Sequence, residues 1–371
     1  MFTLLASDGH ARRGRLTLAH GVVETPIFMP VGTVGSVKTL VPQELHTAKA
    51  QIILGNTYHL FLRPGLEVLS AAGGLHQFIA WDKPILTDSG GFQIFSLGKL
   101  NKLSEEGASF ASHLDGTKFM LTPEKAVQIQ EILGSDIHMV LDECTPWPAD
   151  EKTARTSMER SMRWAARCRQ SKTRPELAQF GIVQGGEYPH LRRASVAALR
   201  EIGFDGYAIG GLSVGEPKNI MGEVIEVCGE VLPRDQPRYL MGVGTPLDLI
   251  EGVAKGIDMF DCVMPTRNGR NGTAFTSQGK ITIKNAQFKL DQDPLDPLCP
   301  CYTCTTHSRS YLRHLWHANE LVVQRLLSLH NVTFYLSHMQ AIRDAIGAGT
   351  FARLLKEQRA LWEPGKGKLQ A

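Results

Sequence analysis

The sequence lacks several features that would assign it to a class of protein directly. No run of about 18 apolar residues is present, which excludes a helix that crosses a membrane. The N-terminal stretch MFTLLASDGHARRGR has no basic leader before an apolar segment, so we expect no secretory signal. Internal repeats, low-complexity tracts, a phosphate-binding P-loop and the GxGxxG pattern are also missing. We therefore expect neither a membrane protein nor a nicotinamide-dependent enzyme.

An excess of charge of one sign is missing as well, and cysteine is scarce. The 40 Lys and Arg residues outnumber the 37 Asp and Glu residues by three, which is too weak a bias to indicate nucleic-acid binding by itself. The chain of 371 residues has only seven cysteines, an odd number. We therefore expect reduced thiols and a cytoplasmic location. With 43% hydrophobic and 21% charged residues, the chain can bury a large core without disulfides.

Eight short apolar runs bounded by Gly, Pro, Asp or Asn predict buried strands. Most are separated by helical patterns, such as the one that begins with Thr122 as N-cap and Pro123 at the first helical position. Eight strands alternating with helices favour an α/β fold, a (β/α)8 TIM barrel, over a doubly wound sheet. The runs are PIFMPVG (26–32), QIILGNT (51–57), ILTDSG (85–90), IHMVLDE (137–143), FGIVQGG (180–186), GYAIGGL (206–212), RYLMGVG (238–244) and GIDMFDC (256–262).

Three segments do not fit these eight units and predict β-hairpins. Residues 12–25 would turn at His20-Gly21 and plug one end of the barrel. Residues 108–121 contain Asp115-Gly116, a strong hairpin signal. Residues 273–285 form the third.

Polar residues and glycines follow the predicted strands at their carboxyl ends, where barrel enzymes carry their active sites. Asp or Asn at such a position can also simply cap the next helix, and for any one residue this explanation is equally good. Three aspartates together, one of them followed by Ser-Gly-Gly, favour a common site. The residues are Asn56, Asp88, Asp142, Gln184, Gly210, Gly211, Gly244 and Asp261.

Carboxylates, amides and exposed backbone suit a flat heterocycle rich in hydrogen-bond donors. A guanine-like base offers its amidine edge to a carboxylate and its carbonyl to an amide or backbone N–H. Glycines let such a base approach the backbone closely. A further carboxylate could attack a sugar carbon, as in glycosyl transfer.

Cys299, Cys301 and Cys304 form a CxCxxC cluster. Three thiolates and one imidazole would make a closed tetrahedral zinc site, which is structural because no coordination position is open. The alternative is three unrelated cysteines in a loop. His330 is a candidate fourth ligand, and His307, His314 and His317 compete with it on spacing alone.

Residues 264–290 contain five basic residues and no acidic one. A charge run is usually a solvated face, but beside a base pocket it predicts a phosphate-binding surface. Residues 267–272, RNGRNG, predict a flexible loop with two guanidinium groups for unpaired bases. The basic residues are Arg267, Arg270, Lys280, Lys284 and Lys289.

Several motifs resemble the tRNA-guanine transglycosylases, over nearly the whole chain and most closely in their bacterial form. They are DSGGFQ (88–93), LDEC (141–144), VQGG (183–186), IGGLSVGE (209–216), MGVG (241–244), FDCVMPTRNGRNG (260–272) and the cysteine cluster with its following histidine. The resemblance implies a homodimer that exchanges the wobble guanine of tRNAs with GUN anticodons for 7-aminomethyl-7-deazaguanine, in queuosine biosynthesis. It also implies one structural Zn2+ per subunit.

The resemblance also implies individual roles. Asp261 would be the nucleophile and Asp88 the general acid and base, while Phe92 and Met241 would sandwich the base. Phe92 replaces a Tyr found in some members, which preserves stacking, and Cys144 and Val214 match the bacterial pattern. The implied base contacts are Asp88, Ser89, Phe92, Asp142, Cys144, Gln184, Gly210, Gly211, Leu212 and Met241. The implied tRNA contacts are Asn56, Arg267, Arg270, Lys280 and Lys284, and the implied zinc ligands are Cys299, Cys301, Cys304 and His330.

Three alternatives remain open at this point. They are a non-catalytic tRNA-binding subunit, a barrel-type N-glycoside hydrolase, and an archaeal-type enzyme that accepts a cyano-deazaguanine. In each case we expect residues 1–265 to form the barrel with its N-terminal hairpin and catalytic site. Residues 266–345 would form the basic hairpin and zinc-binding subdomain, and residues 346–371 a helical tail that packs on the barrel.

Overall fold

The structure is a computed structural model that describes residues 2–93 and 102–363. Its strands are β1 (Phe2–Asp8), β2 (Ala11–Leu18), β3 (Gly21–Thr25), β4 (Ile27–Gly32), β5 (Ile53–Gly55), β6 (Ile85–Thr87), β7 (Lys102–Leu103), β8 (Ala108–Ala111), β9 (Lys118–Leu121), β10 (Ile137–Met139), β11 (Ala178–Val183), β12 (Gly206–Ile209), β13 (Arg238–Leu240), β14 (Met259–Cys262), β15 (Thr273–Thr276) and β16 (Gly279–Thr282).

Helices of very different lengths connect and cover these strands. Those that lie wholly within the described residues are α1 (Pro42–Thr47), α2 (Thr57–Leu62), α3 (Leu66–Ala71), α4 (Leu75–Ile79), α5 (Pro123–Leu133), α6 (Glu151–Ser171), α7 (Pro189–Ile202), α8 (Lys218–Val231), α9 (Pro246–Ala254), α10 (Met264–Arg270), α11 (Tyr302–Thr306), α12 (Arg309–His317), α13 (Val322–Gly347) and α14 (Phe351–Trp362). Among the described residues, no helix combines the length and the apolar character needed to cross a bilayer.

Eight parallel strands form a closed barrel, which confirms the predicted TIM barrel over the doubly wound sheet. The order is β4, β5, β6, β10, β11, β12, β13 and β14, and β14 closes the ring by pairing with β4. Seven of the eight apolar runs contain one of these strands, and the eighth, 180–186, overlaps β11, which begins two residues earlier at Ala178. Each strand is shorter than its run. The strand in the run 85–90 ends at Thr87, for example, so Asp88 is the first residue beyond the ladder. The polar ends of the runs therefore reach the carboxyl-terminal mouth.

The N-terminal sheet covers the other end of the barrel. Its strands β1, β2 and β3 pair in antiparallel order, and the β2–β3 turn lies at Ala19-His20 instead of the predicted His20-Gly21, because Leu18 pairs with Gly21. Arg12 Nε lies 3.3 Å from the carboxylate of Asp258, which directly precedes β14. The His20 ring lies 3.0 Å from Asp136, which directly precedes β10. The sheet thus seals the amino-terminal end, as the hairpin prediction required.

The other two predicted hairpins are also confirmed. Strands β8 and β9 pair in antiparallel order with Asp115-Gly116 in their connection, and β7 adds a third strand. Strands β15 and β16 pair around a turn at Ser277-Gln278.

A second hydrophobic cluster lies beside the barrel core and includes Ala274, Ile281, Leu295, Leu312 and Leu327. Helix α13 joins the two clusters, since its first turns belong to the small one and Tyr335 to the large one. The Tyr335 hydroxyl donates to the Gly244 carbonyl at 2.8 Å, so this helix also supports the barrel mouth. The domain boundaries after residues 265 and 345 stay predictions, and residues 364–371 of the predicted tail lie outside the described part.

Candidate active site and metal centre

A cleft of about 560 Å³ opens at the carboxyl ends of the barrel strands. Three side chains from separate strand ends, Asp88, Asp142 and Asp261, meet there. The structure therefore brings together the carboxylates that the sequence placed on a common mouth. Other predicted site residues that line the cleft are Asn56, Ser89, Phe92, Cys144, Gly210, Gly211, Leu212, Met241 and Arg267.

Asp88 is held by three hydrogen-bond donors. Thr57 donates its backbone N–H to Oδ1 at 2.8 Å, while the side-chain amides of Asn56 and Gln93 donate to Oδ2 at 2.5 and 2.9 Å. Burial, together with a smaller effect of the Asp261 charge, raises the pKa of Asp88 to about 6 against the lowering effect of these donors. Asp88 can therefore exchange a proton near neutral pH.

Asp142 lies on the adjacent side of the cleft and has a different partner. The side-chain amide of Gln184 donates to its Oδ2 at 2.6 Å. Burial raises the pKa of Asp142 to about 6 in spite of this bond, and the nearby charge of Asp88 raises it as well. Position 91 has no room for a side chain, because a Cβ on Gly91 would lie 2.8 Å from the Asp142 carbonyl oxygen. This contact explains the glycine two positions after Ser89 in the DSGGFQ motif.

Asp261, at the end of β14, is held on one oxygen only. The Tyr239 hydroxyl and the Gly242 backbone N–H both donate to Oδ1, at 2.5 and 2.8 Å. Within the described residues both of these donors bind Oδ1, which leaves Oδ2 free of those two bonds in a residue that lines the cleft. Burial raises the pKa of Asp261, and the two donors oppose that shift.

Backbone and flat side chains complete the cleft. Gly211 has φ of +64°, and a Cβ there would lie 2.5 Å from the Gln184 side-chain oxygen, so only glycine fits. Phe92 lines the cleft and is 49% exposed, so its ring is available to stack on a flat ligand. Met241 lies in the same lining.

The five predicted tRNA contacts differ in exposure: one is buried, and the other four are exposed or half-buried. Asn56 is buried and its amide is taken by Asp88, so it is unsuited to a phosphate contact. Arg267 is exposed on the rim of the cleft. Lys280 and Lys284 are exposed on and beyond β16.

The basic RNGRNG segment was predicted as a flexible loop, and this was wrong. Residues 264–270 form helix α10, so Arg267 and Arg270 lie on a rigid element. The reason is tertiary: Gly269 packs against α13, where a Cβ would lie 2.7 Å from the Ser328 backbone nitrogen. Glycine here permits close helix packing.

Cys299, Cys301, Cys304 and His330 converge, with their potential ligand atoms all within 4.8 Å of one another. His330 Nδ1 lies 3.2 Å from Cys304 Sγ, while its Nε2 lies 2.8 Å from the Phe275 carbonyl oxygen. Because Nε2 donates to that carbonyl, Nδ1 is left as a ligand, the usual arrangement of a metal-bound histidine. These four residues can hold a metal ion.

The competing histidines do not belong to this cluster. The His307 ring stacks on Tyr311, with centroids 4.9 Å apart, and His317 lies 3.3 Å from the Lys284 carbonyl oxygen. His314 is exposed on α12.

Sequence reasoning missed several residues that shape the cleft. Tyr239 lies inside the run RYLMGVG, which was interpreted only as a strand, yet its hydroxyl binds Asp261. The available signal was a tyrosine in a strand buried on both faces, because a buried hydroxyl needs a partner. Thr57 and Gln93, which bind Asp88, carried no comparable signal.

Comparison with known proteins agrees with this geometry. A family model described as Queuine tRNA-ribosyltransferase matches residues 7–364. A protein of that name from Solidesulfovibrio magneticus is 56% identical over 367 residues, covering 98% of this chain and 98% of that protein. One from Azoarcus sp. is 58% identical over 353 residues, covering 95% of each, and one from Acinetobacter baylyi is 56% identical over 353 residues, covering 94% and 92%. The chain belongs to the queuine tRNA-ribosyltransferase family, a family of pentosyltransferases.

Proposed function

We propose that this enzyme replaces the wobble guanine of tRNAs with GUN anticodons by 7-aminomethyl-7-deazaguanine, as a step of queuosine biosynthesis in the cytoplasm. The reaction is a double displacement through a covalent bond between Asp261 and the ribose. One observation carries this proposal: Asp261 opens into the same cleft as Asp88 and Asp142, with both of its donors on a single oxygen.

Asp261 is the nucleophile in this proposal. Its Oδ2 forms a bond to the anomeric carbon of the ribose while the bond from that carbon to the guanine nitrogen breaks, and the electron pair stays on guanine. Tyr239 and the Gly242 N–H bind Oδ1, so they orient the carboxylate without covering the attacking atom. They also support its ionised form against burial.

Asp88 moves the proton that each half-reaction needs. It protonates the leaving guanine and later accepts a proton from the incoming base, whose nitrogen then displaces Asp261 from the ribose. The negative charge of Asp261 raises the pKa of Asp88. Esterification removes that charge, so Asp88 becomes a stronger acid when the leaving purine needs a proton.

The base-reading groups suit guanine and its deaza analogue alike. Asp142 accepts from the amidine edge, and the Gln184 amide and Gly211 N–H donate to the ring carbonyl. The Leu212 carbonyl would accept from the aminomethyl group, and Ser89, Cys144 and Gly210 line the same slot. Phe92 and Met241 would stack on the two faces of the ring.

Zn2+ fits the four ligands Cys299, Cys301, Cys304 and His330, and it would hold the small second core together without entering the reaction. Arg267 and Arg270 on α10 would contact the uridines next to the wobble base, and Lys280 and Lys284 would contact phosphates. We further propose a homodimer in which one subunit holds tRNA for the other.

The test is incubation with radiolabelled guanine and an unmodified tRNA of GUN anticodon. The proposal predicts label in the RNA, and none with the same tRNA carrying adenosine at the wobble position. Guanine release without incorporation would indicate an N-glycoside hydrolase instead. Tight tRNA binding without release or incorporation would indicate a non-catalytic subunit.

A further inference from the structure

Arg192, on α7, is a buried cation to which the reaction described above assigns no role. It is fully buried, and among the described residues its hydrogen-bond partners are backbone carbonyls instead of a carboxylate. Removal of a charge from water without an opposite charge is unfavourable. We therefore expect the buried Arg192 to have a function that offsets the cost of burying its charge.

The carbonyls lie at the end of β11 and in the loops that follow β11 and β12, and of these residues Gly210 lines the cleft. Nη1 donates to the carbonyls of Val183 and Gly210 at 2.9 and 2.8 Å, and Nε donates to that of Gly186 at 2.8 Å. Arg192 therefore ties the loop after β11 to the loop after β12.

The bond to Gly210 determines where the next amide points. A trans peptide is planar, with its C=O and N–H on opposite sides. Because the Gly210 carbonyl is turned toward buried Arg192, the Gly211 N–H is turned toward the cleft that both glycines line. A cation on the carbonyl also polarises the peptide and makes its N–H a stronger donor.

Helix α7 positions the other base-reading group as well. The Ser195 hydroxyl accepts from the Gln184 backbone N–H at 3.1 Å. Since the Gln184 side-chain oxygen lies 2.5 Å from where a Gly211 Cβ would be, Gln184 and Gly211 face each other directly. One helix thus sets the spacing of both groups.

We infer that Arg192 is a positioning residue for base recognition, which fixes and polarises the Gly210–Gly211 peptide so that the Gly211 N–H binds the ring carbonyl of the base. This inference rests on the proposed function, because it requires a guanine-like base. The same N–H would stabilise the negative charge that develops on the departing purine.

The experiment compares three free bases as competitors of labelled guanine. Guanine has both recognition groups. 2-Aminopurine lacks the carbonyl and with it the N1–H, whereas hypoxanthine keeps both and lacks only the amino group that Asp142 would bind. We expect the native enzyme to prefer guanine to 2-aminopurine by about 10-fold or more, because loss of the carbonyl leaves buried donors unpaired. In Arg192→Gln this preference should fall by about threefold or more, because the contact of Asp142 with the N1–H is present in both enzymes and only the carbonyl contact changes. The preference for guanine over hypoxanthine should stay unchanged.

Two further variants separate positioning from general damage. Arg192→Lys keeps the charge, but one ammonium cannot reproduce a planar fork across three carbonyls, so it should lose the same preference. It replaces Arg192→Gln as the test if that variant does not fold. Arg238→Lys is the matched control. Arg238 is also buried and donates to the carbonyls of Leu232 and Pro233, but it lies at the start of β13, at the end of the barrel opposite the cleft. It should lower the melting temperature and leave both preferences intact.

The outcomes are distinguishable. If folded Arg192 variants keep the native preference for guanine over 2-aminopurine, or bind all three bases more weakly by the same factor, the positioning role is overturned. If the native enzyme incorporates no guanine into tRNA at all, the proposed function itself fails, before any variant is compared.

Discussion

The three aspartates of the cleft share one side chain but have different environments. Asp88 has three donors divided between its two oxygens, Asp142 has the Gln184 amide on one oxygen, and Asp261 has two donors on one oxygen. This distribution matches proton transfer, base binding and nucleophilic attack respectively. At the scale of single residues, the hydrogen-bond partners of each carboxylate therefore support the role that we propose for it.

Asp142 should destabilise the fold at neutral pH, so Asp142→Asn should be more stable than the native enzyme while losing base recognition. The folded-state pKa of Asp142 is about 6 and its ordinary value is 3.8. The folded protein thus binds this proton more tightly than the unfolded chain, and stability is lost as the pH rises. We expect a gain of about 2 kcal/mol near pH 8, which declines below about pH 6 and nearly vanishes near pH 4.

Urea unfolding at several pH values measures this effect. The Gln184 side-chain oxygen, which has no partner among the described residues, can accept from the new amide. Asp235→Asn, at an exposed position, serves as the control and should show no such pH-dependent gain. An Asp142→Asn enzyme that is less stable near pH 8 would contradict the assigned direction of the shift.

At the scale of elements, helix α10 follows directly after the strand that carries Asp261, so its basic residues have a fixed distance to the proposed nucleophile. Arg270→Ala should weaken tRNA binding by about 3- to 10-fold and reduce its salt dependence, with little effect on free-base binding. Filter binding at several salt concentrations measures both quantities. Arg353→Ala, at an exposed site on α14, is the control. Equal losses for tRNA and free base would count against the assignment.

Helix α13 connects the metal centre to the barrel mouth, since it carries both His330 and Tyr335. His330→Ala should lower bound zinc to well below one ion per chain and reduce the melting temperature, because a closed structural site contributes folding energy. His307→Ala should keep its zinc. Metal analysis of both purified variants, with thermal unfolding, checks this. Full zinc content in His330→Ala would exclude it as a ligand.

The elements show what the sequence could predict and what it could not. The apolar runs predicted all eight barrel strands because parallel strands buried on both faces have a distinctive local pattern. Helix α10 escaped prediction, because its formation depends on Gly269 packing against a helix far along the chain. Arg192 and Tyr239 escaped for the same reason: their partners are set by tertiary contacts that no local spacing encodes.

At the scale of the whole molecule, the barrel has two different ends. The amino-terminal end is sealed by the N-terminal sheet through contacts such as Arg12 with Asp258, while the carboxyl-terminal end is open and holds the cleft. The small second core lies next to the open end through α13. A closed base and an open, basic-rimmed mouth suit a large substrate such as a folded tRNA.

The covalent intermediate provides the most direct test of this account. The native enzyme is mixed with tRNA of GUN anticodon, without an incoming base, and separated on a denaturing gel. We predict a shifted protein–RNA band with release of guanine. Asp261→Asn should bind the tRNA on a native gel but form no such band, and its exchange rate should fall by about 10³-fold or more. A shifted band of native intensity in Asp261→Asn would contradict the proposed mechanism.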